Sequence, residues 1–395
     1  MGRDMDAEGR WIGRGEALSR LGVKPQTLYA YVSRGRIAAR PDPTDPRRSL
    51  YAVDDIARMA SGQGSAAGGD SLVLVPAQGA AARGEASILS SVSVVAGGRL
   101  FYRGLDAAQL SQNATVEEVA RRLWHLREAN PFPGLKPRVD AVTGGSARAR
   151  LYAALGRRAQ EDAVSTSRAA DELRHEAASV LNEAVDAVAG PGPRLHFHQR
   201  LARGWKVLER DAHLIRRALV LSADHELDAA VLASRAAASG GAPMAGAALA
   251  GITTVAGSRL AMEVGSVSAW LFEARRDPAA AVRRRFEAEG RVPGFGSADW
   301  PEGDPRAAAL LGATDLPTDL ATVLHQGRDV SGHEPDLAMA LALVARRLDL
   351  PREGASDLLM IGRLTGLLAH ALDQAIDGSP IRARLRYVGP EPGAN

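Results

Sequence analysis

From about residue 85 onward, apolar residues recur at spacings of three and four, the period of a helix with one buried face. The pattern is clearest over 116–126, 212–221, 227–237 and 337–350, with glycine or proline punctuating the gaps. Alanine and leucine, both strong helix formers, dominate this stretch. An all-α body is therefore expected. Residues 87–102 depart from it: Ile-Leu-Ser-Ser-Val-Ser-Val-Val is rich in β-branched side chains and is followed by Gly97-Gly98, which predicts a short hairpin.

The first 60 residues carry another pattern. Ala17, Leu18 and Leu21 suit one face of a helix ending at Gly22, and Pro25 can open a second helix with Leu28, Tyr31 and Val32 turned inward. Two short helices across a glycine turn predict a helix-turn-helix. Arg36, Arg40, Arg47 and Arg48 follow around a Pro/Asp-rich loop, then Ser49-Leu-Tyr-Ala-Val and a third helical start at Asp54-Asp55-Ile56. A Gly/Ser-rich stretch over 60–70 reads as a flexible connector, so a module at 1–60 and a linker at 61–84 are expected.

At 395 residues the chain is long enough for two or three domains. It has no run of 18 uncharged apolar residues, so no membrane span and no membrane partner are expected. Its first 20 residues lack the apolar core of a secretory signal, which makes the cytoplasm the expected location. The absence of cysteine excludes disulfides, thiolate metal sites and cysteine nucleophiles. A net charge of +3 is small for this length, so contact with nucleic acid must be argued from where the charge lies. Phosphate-loop, hydrolase-elbow and zincin motifs are missing. His196 and His198 form a His-x-His pair without nearby acidic ligands, which predicts a solvated or capping role. No metal and no resident cofactor are expected.

The order of elements in the first 60 residues resembles the winged helix-turn-helix of the MerR-like group, on Thr27-Leu-Tyr-Ala-Tyr31 and Asp45-Pro-Arg-Arg-Ser-Leu-Tyr51. That resemblance implies DNA as a partner, with the second helix in the major groove and wing arginines on phosphates. It assigns those contacts to Gln26, Thr27, Tyr29, Arg34, Arg47 and Arg48. The alternative is a small docking module, because Asp42, Asp45, Asp54 and Asp55 dilute the basic patch.

Four collinear segments beyond the connector resemble the citrate synthase family: Ser222-Ala-Asp-His-Glu-Leu-Asp-Ala-Ala230, Val292-Pro-Gly-Phe-Gly-Ser297, Asp304-Pro-Arg306 and Ile361-Gly-Arg-Leu-Thr-Gly366. The resemblance implies a two-domain helical body that dimerises, its large domain at 85–261 plus 361–395 and its small domain at 262–360. It also implies a dicarboxylate site for oxaloacetate, citrate or a similar acid. His225 would hydrogen-bond the 2-oxo acid, and Arg306, Arg363 and Arg382 would grip its carboxylates, Arg382 reaching across from a second subunit. Guanidinium forks suit bidentate carboxylate binding, which lysine does not reproduce. The backbone of Val292, Gly294 and Gly296 would cradle the adenine of an acyl-CoA, although Pro301 stands where relatives often keep a basic residue.

The family's chemical residues are replaced. In ungapped alignment Leu260 takes the seat of the histidine that forms the acetyl-CoA enol. Ser297 replaces the histidine that polarises the oxaloacetate carbonyl, and Ala338 replaces the general-base aspartate. Asp336 is two residues away, but the ungapped match runs on to Leu350-Pro351 and sets it aside. The leading expectation is a catalytically impaired member that binds its acid and passes this to DNA or a partner chain. The alternatives are an active citrate or 2-methylcitrate synthase condensing acyl-CoA with oxaloacetate, and a subunit supporting a relative as a homodimer or heterodimer.

Overall fold

The computed structural model describes residues 11–33, 37–63, 73–76, 84–88, 90–126, 130–137, 144–192, 195–377 and 380–382. The chain divides into two compact units, Met1–Ser90 with Gln374–Asn395, and Ser91–Asp373.

In the first unit, helices Arg14–Leu21 and Pro25–Ser33 are separated by Gly22, whose φ of 63° closes the first helix through its N–H to Leu18 O at 2.9 Å. A three-stranded antiparallel sheet follows, with Asp45–Ala52 between Trp11–Gly13 and Ala39–Asp42. Helix Val53–Gln63 ends the module. Ala17, Leu21, Leu28, Ile37, Tyr51 and Ile56 form its core, with Tyr31 and Val32 partly buried against them. Asp55 is buried and accepts the Ala38 N–H at 2.8 Å, tying the third helix to the segment before the sheet. Within the expected connector, Val73–Pro76 pairs antiparallel with Gly84–Ser87, as its Val-Leu-Val run favours.

The second unit is mostly helical. A hairpin pairs Ser93–Ala96 with Arg99–Tyr102 across Gly97 and Gly98, whose φ values of 56° and 69° meet the demand of a tight two-residue turn for left-handed backbone, and Leu105–Asp106 adds a third antiparallel strand. Helices Val116–Leu123, Ala212–Leu221, Ala229–Ser239 and Leu337–Arg347 occupy the segments marked by helical periodicity. The stretch without a recognisable motif forms Ala147–Glu161 and Ala170–Ala189. Thr115 and Glu118 make a capping box at the start of Val116–Leu123: Glu118 N–H donates to Thr115 Oγ1 at 3.2 Å, and Thr115 N–H to Glu118 Oε2 at 2.7 Å. Thr115→Ala is expected to cost about 1 kcal/mol, read from the midpoint of chemical denaturation.

Helix Gly354–Asp377 runs through the core, with Leu358, Leu364, Leu367 and Leu368 inaccessible. Gly362 and Gly366, one turn apart, let it lie directly on the segment after helix Ala212–Leu221. A Cβ at Gly362 would come within 2.6 Å of Ser222 Cβ and 2.9 Å of Leu219 O. Gly366 N–H donates to Ala223 O at 3.0 Å, and Trp124 Nε1 donates to the neighbouring Thr365 O at 3.0 Å. Among the described residues no helix is long and apolar enough to cross a membrane.

Candidate functional site

A cavity of about 210 Å³ opens in the second unit where the 222–228 segment meets the starts of three helices, Arg259–Glu273, Pro305–Leu311 and Leu337–Arg347. The hairpin positions the 222–228 segment. Ser93 Oγ donates to Asp224 Oδ2 at 2.5 Å and accepts the Glu226 N–H at 3.0 Å. Val95 N–H donates to Glu226 Oε1 at 2.5 Å, and Tyr102 OH donates to Val220 O at 3.0 Å. Glu226 is held in left-handed backbone at φ 53°, a conformation a non-glycine residue keeps only when its surroundings impose it.

This clamp presents His225 to the cavity, its ring 5.8 Å from that of Trp300. Nε2 of His225 is buried with no hydrogen-bond partner. Burial first, then the positive charges of Arg306 and Arg363, push the imidazole down to about 4. At neutral pH His225 is therefore an uncharged hydrogen-bonding group. Ser222, almost wholly buried on the same wall, has an Oγ likewise without a partner.

Arg306 and Arg363 line the cavity and are both engaged by this chain's own carboxylates. Arg306 forms a fork on Asp304, Nε to Oδ1 at 2.9 Å and Nη2 to Oδ2 at 2.8 Å. Its guanidinium also lies 5.4 Å from the centre of the Trp300 ring. Arg363 spreads its fork, with Nη1 to Asp224 Oδ1 at 3.0 Å and Nη2 to Asp228 Oδ2 at 2.6 Å. Arg235 Nη1 lies 3.3 Å from His370 Nδ1, and His370 Nε2 lies 3.1 Å from Asp224 Oδ2. Burial alone would raise the Asp224 carboxyl, but His370 and then Arg363 outweigh it and hold Asp224 at about 2. His370 thus belongs to the support of the site. Arg382, the third arginine expected here, is exposed and lies in the other compact unit.

Leu260 and Ser297 both line the cavity, whereas Ala338 is fully buried inside its helix. The cavity residues just before it are Leu337 and Asp336, the carboxylate that the alignment register sets aside. Asp336 is the N-cap of Leu337–Arg347, its Oδ1 accepting the Met339 N–H at 3.0 Å. Ser222 and Glu263 are further lining residues that sequence reasoning missed. An aspartate immediately before an apolar periodic run signals an N-cap, and this was the one available hint to Asp336.

The loop holding Val292, Gly294 and Gly296 is braced from the same side. Glu263 grips Arg291 at 2.8 and 3.1 Å and accepts the Gly294 N–H at 2.8 Å. Gly294 and Gly296 are left-handed, at φ 88° and 79°, and a Cβ on Gly294 would reach 2.9 Å from Met339 Cε. Of this segment it is Ser297 that lines the cavity, while Val292 is buried.

Elsewhere, Gln26 and Tyr29 are exposed on helix Pro25–Ser33, Thr27 is partly buried, and Arg48 is exposed and 3.2 Å from Asp45. Arg34 and the Arg47 side chain lie outside the described residues. The His196 N–H donates to Gln199 Oε1 at 3.2 Å at the start of helix Phe197–Gly204, and the His196 ring lies 3.5 Å from Glu117. Among the described residues no cluster could hold a metal ion.

The model of the citrate synthase C-terminal domain family matches residues 81–384. Citrate synthase 2 of Bacillus subtilis (strain 168) is 23% identical over 366 residues, covering 78% of this chain and 95% of that protein. Among solved structures, the citrate synthase of the archaeon Thermoplasma acidophilum, in a ternary complex with carboxymethyl coenzyme A and oxaloacetate, superposes at TM-score 0.62 and 18% identity over 78% of this chain and 95% of that one. The Thermotoga maritima MSB8 enzyme covers the same shares at TM-score 0.59 and 17% identity. These likenesses establish a common fold, and with the family match over most of its length the chain belongs to the citrate synthase family.

Proposed function

We propose that this protein binds an oxaloacetate- or citrate-type dicarboxylate and has lost the family's carbon-carbon bond formation. The observation that carries this reading is one cavity lined by His225, Arg306 and Arg363 together with Leu260 and Ser297. The first three supply hydrogen-bond donors for an oxo acid. The last two stand where the resemblance calls for histidines, and Ala338 is buried where it calls for the base. Each positioned acid or base contributes about 10² to 10⁴ in rate, and groups that act as a unit are not replaced by those remaining.

Purified protein given oxaloacetate with acetyl-CoA or propionyl-CoA is expected to release no free CoA above background. Oxaloacetate alone is expected to raise its melting temperature. Turnover would overturn the loss of synthase chemistry, and an unmoved melting temperature would overturn the dicarboxylate site.

The division into a large domain at 85–261 plus 361–395 and a small one at 262–360 belongs to this reading. So does a dimer, with itself or a related chain, in which Arg382 completes the partner's site. Acyl-CoA at the Val292–Gly296 backbone remains part of the alternative active synthase. The paired helices, the sheet hairpin and the exposed Gln26 and Tyr29 support a winged helix-turn-helix that conveys ligand state to DNA.

A further inference from the structure

The carboxylates around the cavity are not equivalent. Asp304 is paired with Arg306, Asp228 with Arg363, Asp299 with Arg259 and Glu263 with Arg291. Among the described residues Asp336 has no such ion pair, though it lines the same wall. Its Oδ1 is fixed by the Met339 N–H, so the carboxyl is held in place at the helix start. On the same cavity, His225 offers a neutral ring with an unpartnered, buried Nε2, and Ser222 an unpartnered hydroxyl. The site thus joins one uncommitted carboxylate to an uncharged hydrogen-bonding group and two arginines.

We propose that Asp336 is the base for proton transfer at the carbon beside the carbonyl of a bound 2-oxo dicarboxylate, and that the site interconverts its keto and enol forms. This rests on the dicarboxylate reading above. The carbon-hydrogen bond breaks toward the Asp336 carboxylate, and its electron pair forms the carbon-carbon double bond. The carbonyl π pair moves onto oxygen, where the His225 ring hydrogen-bonds the enolate. The proton on Asp336 then passes to that oxygen through water, giving the enol and restoring the carboxylate. No second substrate is consumed, so the apolar Leu260 wall is no obstacle.

The environment suits the role. Burial raises the Asp336 carboxyl and the charges of Glu263 and Asp304 add to this, against the Met339 and Ala338 N–H groups, leaving it at about 6. Arg291, ahead of the glycine loop, feels the charge of Asp336, and Arg259, Arg306 and Arg363 line the same cavity. A base poised near the working pH combines ionisation with proton affinity.

The probe is oxaloacetate in D₂O, with loss of its methylene proton signal followed by NMR against buffer alone, and oxaloacetate thermal shift on the same samples. The intact chain is expected to accelerate exchange, with a rate rising as pH climbs through about 6. Asp336→Asn keeps an N-cap oxygen of equal quality, so it folds and retains the thermal shift. Its protein-dependent exchange should fall by about 10²-fold or more. Stabilisation with exchange at the buffer rate, or undiminished exchange in Asp336→Asn, would overturn this proposal alone. Absence of stabilisation would overturn it together with the dicarboxylate site.

Discussion

Arg363→Met is expected to lower the unfolding free energy by about 3 to 5 kcal/mol, the range for removing one partner of a buried ion pair. Arg363 bonds both Asp224 and Asp228, and Asp224 is wholly inaccessible. Methionine fills much of the volume and leaves the Asp224 charge supported by His370 and Ser93 alone. The pH dependence has a definite sign. A carboxyl held at about 2 when folded contributes stability that is present above its unfolded value near 4 and lost as pH falls through about 2. Without Arg363 the folded value rises, so the variant loses stability at a higher pH than the parent. Denaturant titrations at neutral and acid pH measure both effects, and a neutral-pH cost below about 1 kcal/mol would show the pair to be dispensable. The oxaloacetate thermal shift is expected to vanish as well.

Gly366→Ala sets local preference against tertiary packing. Alanine is the better helix former by about 1 kcal/mol, so an isolated helix would gain. Here the new methyl would lie 2.8 Å from Asp224 Cβ and closer still to Asp224 Oδ1 and Ala223 O. Two of those atoms are carried by a residue locked to Arg363 and His370, and the third is backbone, so none can swing aside. Overpacking of this kind costs about 1 to 3 kcal/mol, and occasionally more. It should also displace His225, the residue after Asp224. Gly265→Ala, where the methyl meets nothing within 4 Å, is the control and should stabilise by about 0.5 to 1 kcal/mol. Equal effects at the two glycines, read by denaturant midpoint, would refute close approach as the reason for Gly366.

Much of this is legible in the sequence. Helix Ala212–Leu221 was readable because its apolar period is uninterrupted, and the Ser93–Tyr102 hairpin because Gly97-Gly98 permits few other turns. His225, Arg306 and Arg363 were readable through their motif neighbours, and all three do line one cavity. The engagement of the arginines was not. Asp304 stands two residues from Arg306, but Asp224 is 139 residues from Arg363, and only the glycine-lined helix contact brings them together. Asp336 was passed over because alignment register equates positions along the chain and says nothing about where a cap side chain projects. The strand Val73–Pro76 was hidden by the Gly/Ser-rich composition just before it.

The pairing of every lining arginine has a consequence for the approach of a ligand. The cavity wall carries Arg259, Arg306 and Arg363 against Asp228, Glu263, Asp299, Asp304 and Asp336. Seen from beyond about 10 Å, such a wall presents a dianion with no attractive field. Encounter is left to unassisted diffusion, and recognition begins only at contact, where spare guanidinium and imidazole hydrogens come within reach. Added salt, which screens the excess of carboxylates, is therefore not expected to slow arrival, and discrimination between anions rests on how their carboxylates fit the guanidinium and imidazole hydrogens.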